Sequence, residues 1–281
     1  MTWTIALIVF CGSQLTQASW IAAGNRALDA GHPAEAAADF ARALDDQIRA
    51  GIPAGKLVHL RVTLATAYME AGDERAAEAA LQEAQRAEGA VGGLARAEVL
   101  NGWSVVHLRL GQLSVAEGEL EQAWRIAAKL PAAVDLRPTV LHNLAAVQMR
   151  TGRYADALGH EREALRMWES APVPQPAELI RAWASLASLE YMMGQPQDAR
   201  KSMQQALAAT TASYGPSSAV LAAMLDSDAV ILDKLRLKKE ARQARAQAQR
   251  IRGCAPPRTD DRLVVDLREK PESQVHLRDQ Q

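Results

Sequence analysis

Residues 141–168 read LHNLAAVQMRTGRYADALGHEREALRMW. Leu141, Leu144, Ala145 and Gln148 fall at the i, i+3, i+4, i+7 spacing of one helical face, and Gly152 follows the last of them. A glycine just past a helix end can take the left-handed backbone conformation that stops it. A second helix then carries Tyr154, Ala157, Glu161 and Ala164. Alanine suits these positions because a methyl group lets two antiparallel helices touch without forcing their axes apart.

The same pattern recurs in both directions. Turn-closing residues fall at Gly31, Gly72, Gly111, Gly152 and Gly194, with Arg236 in the sixth place, at intervals of 41, 39, 41, 42 and 42. Five residues after each come Ala36, Ala77, Ala116, Ala157, Ala199 and Ala241, and seven beyond those Ala43, Ala84, Ala123, Ala164, Ala206 and Ala248. A helix pair of this size cannot bury its own apolar face, so successive units must stack. Proline and glycine cluster between units, at Gly51-Ile52-Pro53-Ala54-Gly55, at Pro131 and Pro138, and at Pro172, Pro174 and Pro176, leaving the predicted first helices uninterrupted. The last helix places Leu237, Ala241, Ala244, Ala248 and Ile251 on one stripe with Arg or Lys elsewhere, as a terminal cap with one wet face requires.

These residues resemble the tetratricopeptide repeat family. Its small and aromatic positions match Trp20, Gly24, Ala36, Phe40 and Ala43 in the first unit, and Leu64, Ala65, Tyr68, Gly72, Ala77, Leu81 and Ala84 in the second. The string from Leu141 to Trp168, and Ser213-Tyr214-Gly215-Pro216, look like the longer repeat of kinesin light chains and many bacterial proteins. The resemblance covers residues 17–252 and implies an all-α fold, a right-handed α-solenoid of about six helix pairs. Three departures stand out: Arg236 replaces the turn glycine, Asn143 is the sole survivor of a paired asparagine, and Glu161 and Arg245 fill a position that is otherwise bulky and apolar. The sixth unit is accordingly the one whose packing the resemblance specifies least.

Composition agrees with helices. The 281 residues, a length that by itself suggests about two domains, include 56 alanines but only two Phe, four Tyr and six Trp; strand-rich folds favour aromatic and β-branched residues instead. The net charge of −1 gives no global field to hold a nucleic acid or an anionic membrane. Two cysteines, Cys11 and Cys254, cannot build a disulfide framework or a four-ligand zinc site.

At the N-terminus, residues 4–11 (TIALIVFC) form an apolar run far shorter than the roughly 20 residues of a membrane-spanning helix. Small residues at Thr16 and Ala18 place a cleavage site after Ala18, which predicts a signal peptide over residues 1–18 and export to the periplasm or beyond. The leading Met1-Thr2-Trp3 lacks Lys and Arg, so the alternative is a start-proximal helix packed on the fold of a cytoplasmic protein. The repeat array then spans 19–252. Residues 253–281 have mixed charge and little apolar content and are expected to be a mostly disordered tail, with 263–267 a short docking strand.

Catalytic and ligand motifs fail one by one. Gly51 to Leu57 has the wrong glycine spacing for a phosphate loop and lacks its hydroxyl. His160-Glu161 begins a zinc-protease motif, but Ala164 stands where the second histidine belongs. Gly102-Trp103-Ser104 approaches a nucleophile elbow and is broken by Val106, with Ser104 taking the small packing position of a repeat helix. The six histidines show no ligand spacing, so no metal or cofactor is expected. The basic run 234–252 reads as the solvated face of the last helix, without the interleaved aromatics that stack on single-stranded nucleic acid.

What a stacked array offers is an extended groove lined by its first helices, in which a peptide or partner helix can lie. In the family's register the candidate groove residues are Asn25, Asp29, Glu70, Asn101, Arg109, His142, Asn143, Arg150, Arg181 and Tyr191. One equivalent position runs Asp29, Glu70, Arg109, Arg150, Met192, Lys234, acidic at one end and basic at the other. Such a gradient suits a protein segment with an acidic stretch. The expected function is therefore a non-enzymatic interaction scaffold; the alternative is a regulatory or sensory domain that binds a small peptide or effector. Self-association is compatible with either.

Overall fold

The computed structural model describes residues 19–28, 30–89 and 92–254. The expected signal peptide, Asp29 and residues 255–281 lie outside them. The described chain forms twelve helices: α1 (19–28), α2 (Pro33–Arg49), α3 (Val58–Ala71), α4 (Glu74–Glu88), α5 (Gly93–Arg109), α6 (Leu113–Ala127), α7 (Leu136–Arg150), α8 (Tyr154–Glu169), α9 (Pro176–Met192), α10 (Pro196–Tyr214), α11 (Ala219–Lys234) and α12 (Lys238–Cys254). No strand occurs among the described residues.

All six turn residues adopt the left-handed conformation, with φ of 69° at Gly31, 84° at Gly72, 72° at Gly111, 78° at Gly152, 72° at Gly194 and 64° at Arg236. Each closes its helix with the same two backbone bonds. Gly72 N–H donates to Met69 O at 3.2 Å and Asp73 N–H to Tyr68 O at 2.9 Å; Arg236 N–H donates to Asp233 O at 3.0 Å and Leu237 N–H to Leu232 O at 2.9 Å. This is the 6→1 closure that satisfies the orphan carbonyls of a helix end. Arg236 adopts it despite its Cβ, because the helices on either side fix the turn.

The twelve repeating alanines are all fully buried at 0% exposure. Close approach also governs Gly24, where a Cβ would stand 2.6 Å from the Phe40 ring, so only glycine lets α1 reach α2. Pro138, expected between units, instead sits buried in the first turn of α7. There its missing N–H is one the helix could not have paired anyway.

The described residues divide into two compact units, one up to Val140 and the other from Leu141 onward. In the first, α3 packs on α4, α5 on α6, and the first helices α3 and α5 lie side by side. Asp73 caps α4 by accepting from Ala76 N–H at 3.0 Å, and Arg137 closes α6 by donating to Ala127 O and Leu130 O, both at 2.9 Å. In the second, α8 packs on α9, α9 on α10, α10 on α11 and α11 on α12. Ile180, Ala187, Met203 and Met224 fill the space between α9, α10 and α11. The predicted stripe of Leu237, Ala241, Ala244, Ala248 and Ile251 does seat α12 on Leu221, Leu225 and Leu232 of α11. The sixth pair thus packs as regularly as the others, with Arg245 turned outward to Asp233. No described helix is long and apolar enough to cross a membrane.

Candidate interaction face

The first helices carry the candidate residues. In the first unit, Asn25 is exposed on α1, while Glu70 on α3 and Asn101 and Arg109 on α5 are half-buried. His59 of α3 donates from Nδ1 to Glu98 of α5 at 3.0 Å. The two residues occupy the same register position of successive repeats, so equal positions on neighbouring first helices meet on one face. The hydrogen bond to Glu98 raises the His59 pKa above its ordinary value, burial opposing and the Glu98 charge adding.

In the second unit, Arg150 is exposed at the end of α7, and Arg181 on α9 is half-buried and ion-paired with Glu178 one turn back. Tyr191 is half-buried and packs against the α9–α11 core. Asn143 is half-buried. His142 is engaged across the helix pair: its Nδ1 lies 2.9 Å and 3.1 Å from the two carboxylate oxygens of Glu161, which is wholly buried on α8. Its ring also meets the Trp168 ring edge-on at 5.8 Å. The equal-position series divides between the units, with Glu70 and Arg109 in the first and Arg150, Met192 and Lys234 in the second.

A second polar pattern went unread in the sequence. His107 meets Glu119 at 2.8 Å, Gln148 meets His160 at 2.8 Å, and Ser202 donates to Glu190 at 2.7 Å, each pair twelve residues apart across a turn glycine. In the second and sixth repeats the same two places hold Tyr68 with Ala80 and Leu232 with Ala244. The signal was present as matched polar residues four before and eight after Gly111, Gly152 and Gly194; neither place belongs to the small-residue pattern that reveals the repeat. Arg162 adds a bond from α8 to Glu190 at 3.2 Å.

The motif fragments have packing explanations. Ser104 is 1% exposed and donates to Asn101 O at 2.6 Å, and a Cβ at Gly102 would come 2.6 Å from Leu81. His160 is held by Gln148. Among the described residues no group of three His, Cys, Asp or Glu side chains could hold a metal ion. Two concavities are lined by none of the candidate groove residues: one of about 450 Å³ beside Gly93, Arg125, Ile126 and Leu130, and one of about 500 Å³ between α10, α11 and α12.

Residues 139–171 match the family model described as a tetratricopeptide repeat. Among solved structures, BtubC (BKLC) from P. vanneervenii is similar at a TM-score of 0.62 and 22% identity, over 82% of this chain and 96% of that one. A kinesin light chain with nearly identical TPR-like repeats from Podosopora anserina gives 0.54 and 19%, over 72% and 96%. The APC/C hetero-tetramer Cut9–Hcn1 gives 0.63 and 16%, over 85% of this chain and 41% of that one. No curated protein matches. Residues 139–171 thus match one tetratricopeptide repeat, and the helix-pair fold of the chain is similar to that of solved structures with kinesin light chain-like TPR repeats.

Proposed function

We propose that the chain is a non-enzymatic interaction scaffold that binds a peptide or partner segment along the face of its first helices. The observation carrying this reading is the His59–Glu98 contact, which brings equal register positions of α3 and α5 onto one surface. Polar and half-buried side chains recur at that surface within each unit, as adaptable recognition of an extended segment needs. Arg109 in the first unit and Arg150 in the second each carry a planar, permanently charged fork suited to carboxylates, so the segment favoured by either unit is acidic.

The experiment is peptide display against the full chain, followed by affinity measurements on the Arg109→Glu/Arg150→Glu variant. Selected peptides should be rich in Asp and Glu. The variant should bind them at least about tenfold more weakly and lose salt sensitivity while keeping the helical circular dichroism of the parent. Equal affinity in parent and variant overturns the reading. Arg181 is left intact because its reversal would set two carboxylates together at Glu178.

Export with cleavage after Ala18 accompanies this proposal, supported by the apolar run 4–11 and the small residues before the cut. N-terminal sequencing of the natively produced protein tests it; an intact Met1 end in the cytosolic fraction rejects it.

A further inference from the structure

The concavity between α10, α11 and α12 is largely apolar. Leu221 and Leu225 of α11 form its floor, Leu207 one wall, and exposed Ala208, Thr211 and Ala212 of α10 the rim, with Gln247 of α12 opposite. At about 500 Å³ it has room for several aliphatic side chains.

We propose that residues 263–267 of the same chain (LVVDL) dock in this concavity. Four of the five side chains are aliphatic, whereas the other aliphatic side chains of the C-terminal stretch, Ala255, Val275 and Leu277, stand singly. The reach is sufficient: α12 ends at Cys254, seven residues or about 10 Å of helix beyond Gln247, and the eight residues 255–262 span up to about 26 Å when extended. Tethering also gives the segment an effective concentration that a separate partner lacks.

The test is amide hydrogen exchange on the full chain, read at 263–267 and at 207–212, in the parent and two variants. Val264→Asp/Val265→Asp removes the apolar contact from the segment; Ala212→Glu places a charge on the exposed rim without touching the core. In the parent, 263–267 should exchange at least about tenfold more slowly than an unstructured peptide, and both variants should abolish that protection and speed exchange at 207–212. Three results overturn the proposal. One is parent exchange at the unstructured rate. Another is protection that survives Ala212→Glu, which places the segment elsewhere. The third is protection that disappears on dilution, which makes a second copy the occupant.

Discussion

His142 and Glu161 are hydrogen-bonded at 2.9 Å between the two helices of one repeat, at a place where other repeats bury Phe40, Leu81, Leu120 or Met203. A charge taken out of water is costly unless it is paired and hydrogen-bonded, and His142 supplies both the pairing and the donor. The fourth repeat therefore holds together by a polar tie where its neighbours use apolar volume.

Removing one partner should be far worse than removing both. His142→Ala strands a buried carboxylate and should cost about 3–5 kcal/mol, whereas His142→Val/Glu161→Leu, which copies the Val62 and Leu81 of the second repeat, should be neutral or stabilising. Urea unfolding midpoints of the two variants check this; a double variant as weak as the single one would show that the pair is irreplaceable.

The same pair sets a pH dependence. Burial pulls the His142 pKa down, but the charge and hydrogen bond of Glu161 outweigh it, Arg181 opposing and Glu178 assisting, so the folded-state value lies above 6.5. A raised histidine pKa means that the folded state holds the proton more tightly than the unfolded chain. Its contribution is complete below about pH 6.5 and fades as pH rises through the folded-state value. Melting temperature should fall over that interval in the parent and fall less in His142→Val/Glu161→Leu, as scanning calorimetry across the range would record.

Much of this fold could be read from the sequence because its determinants are local and repeated. A glycine that must turn left-handed and alanines that must permit contact recur in fixed register, and all six turns and twelve alanines sit as that register requires. The polar ties were harder to see. Glu161 looked like a departure from an apolar position, and His142 like a groove residue, because the partner of each lies on the opposite helix rather than one turn away. Pro138 was misplaced for a different reason: a first-turn proline and an inter-helix proline have the same neighbours in sequence.

Turn chemistry gives a paired prediction. At Gly152 a Cβ would meet nothing within 4 Å, so Gly152→Ala tests backbone conformation alone and should cost about 1–2 kcal/mol. Arg236→Gly relieves the same strain, but the gain is offset by the greater freedom of glycine in the unfolded chain, leaving a change between zero and about 1 kcal/mol of stabilisation. Chemical denaturation of both variants would decide; a strong loss in Arg236→Gly would mean that its side chain contributes contacts that outweigh its strain.

Packing inside the fourth repeat predicts opposite kinds of damage. Ala157 is fully buried, and enlarging it to Leu should overpack the helix contact and cost about 1–3 kcal/mol. Leu144 is 6% exposed, and Leu144→Ala should leave a cavity costing about 2–5 kcal/mol. Parent-like melting of both variants would place the repeat register elsewhere.

Asp228 on α11 carries the last prediction. Its Oδ1 is buried without a hydrogen-bond partner, while Arg200 of α10 is ion-paired with Glu240 of α12. Burial raises the Asp228 pKa to about 6, the Arg200 charge opposing and the Glu240 charge adding. The unfolded chain ionises near 3.8, so between that value and about 6 the folded state holds more protons, and stability falls as pH rises across the interval before levelling off. Asp228→Asn keeps the shape and removes the charge. Allowing for partial solvent access, it should stabilise the protein by about 1–2 kcal/mol at pH 7.5, and the difference should vanish near pH 4, where the parent carboxyl is itself protonated. Denaturation at the two pH values decides between this and the opposite assignment. If Asp228→Asn weakens the fold at pH 7.5, the ionised carboxylate is favourably paired there, with Arg200 as its partner.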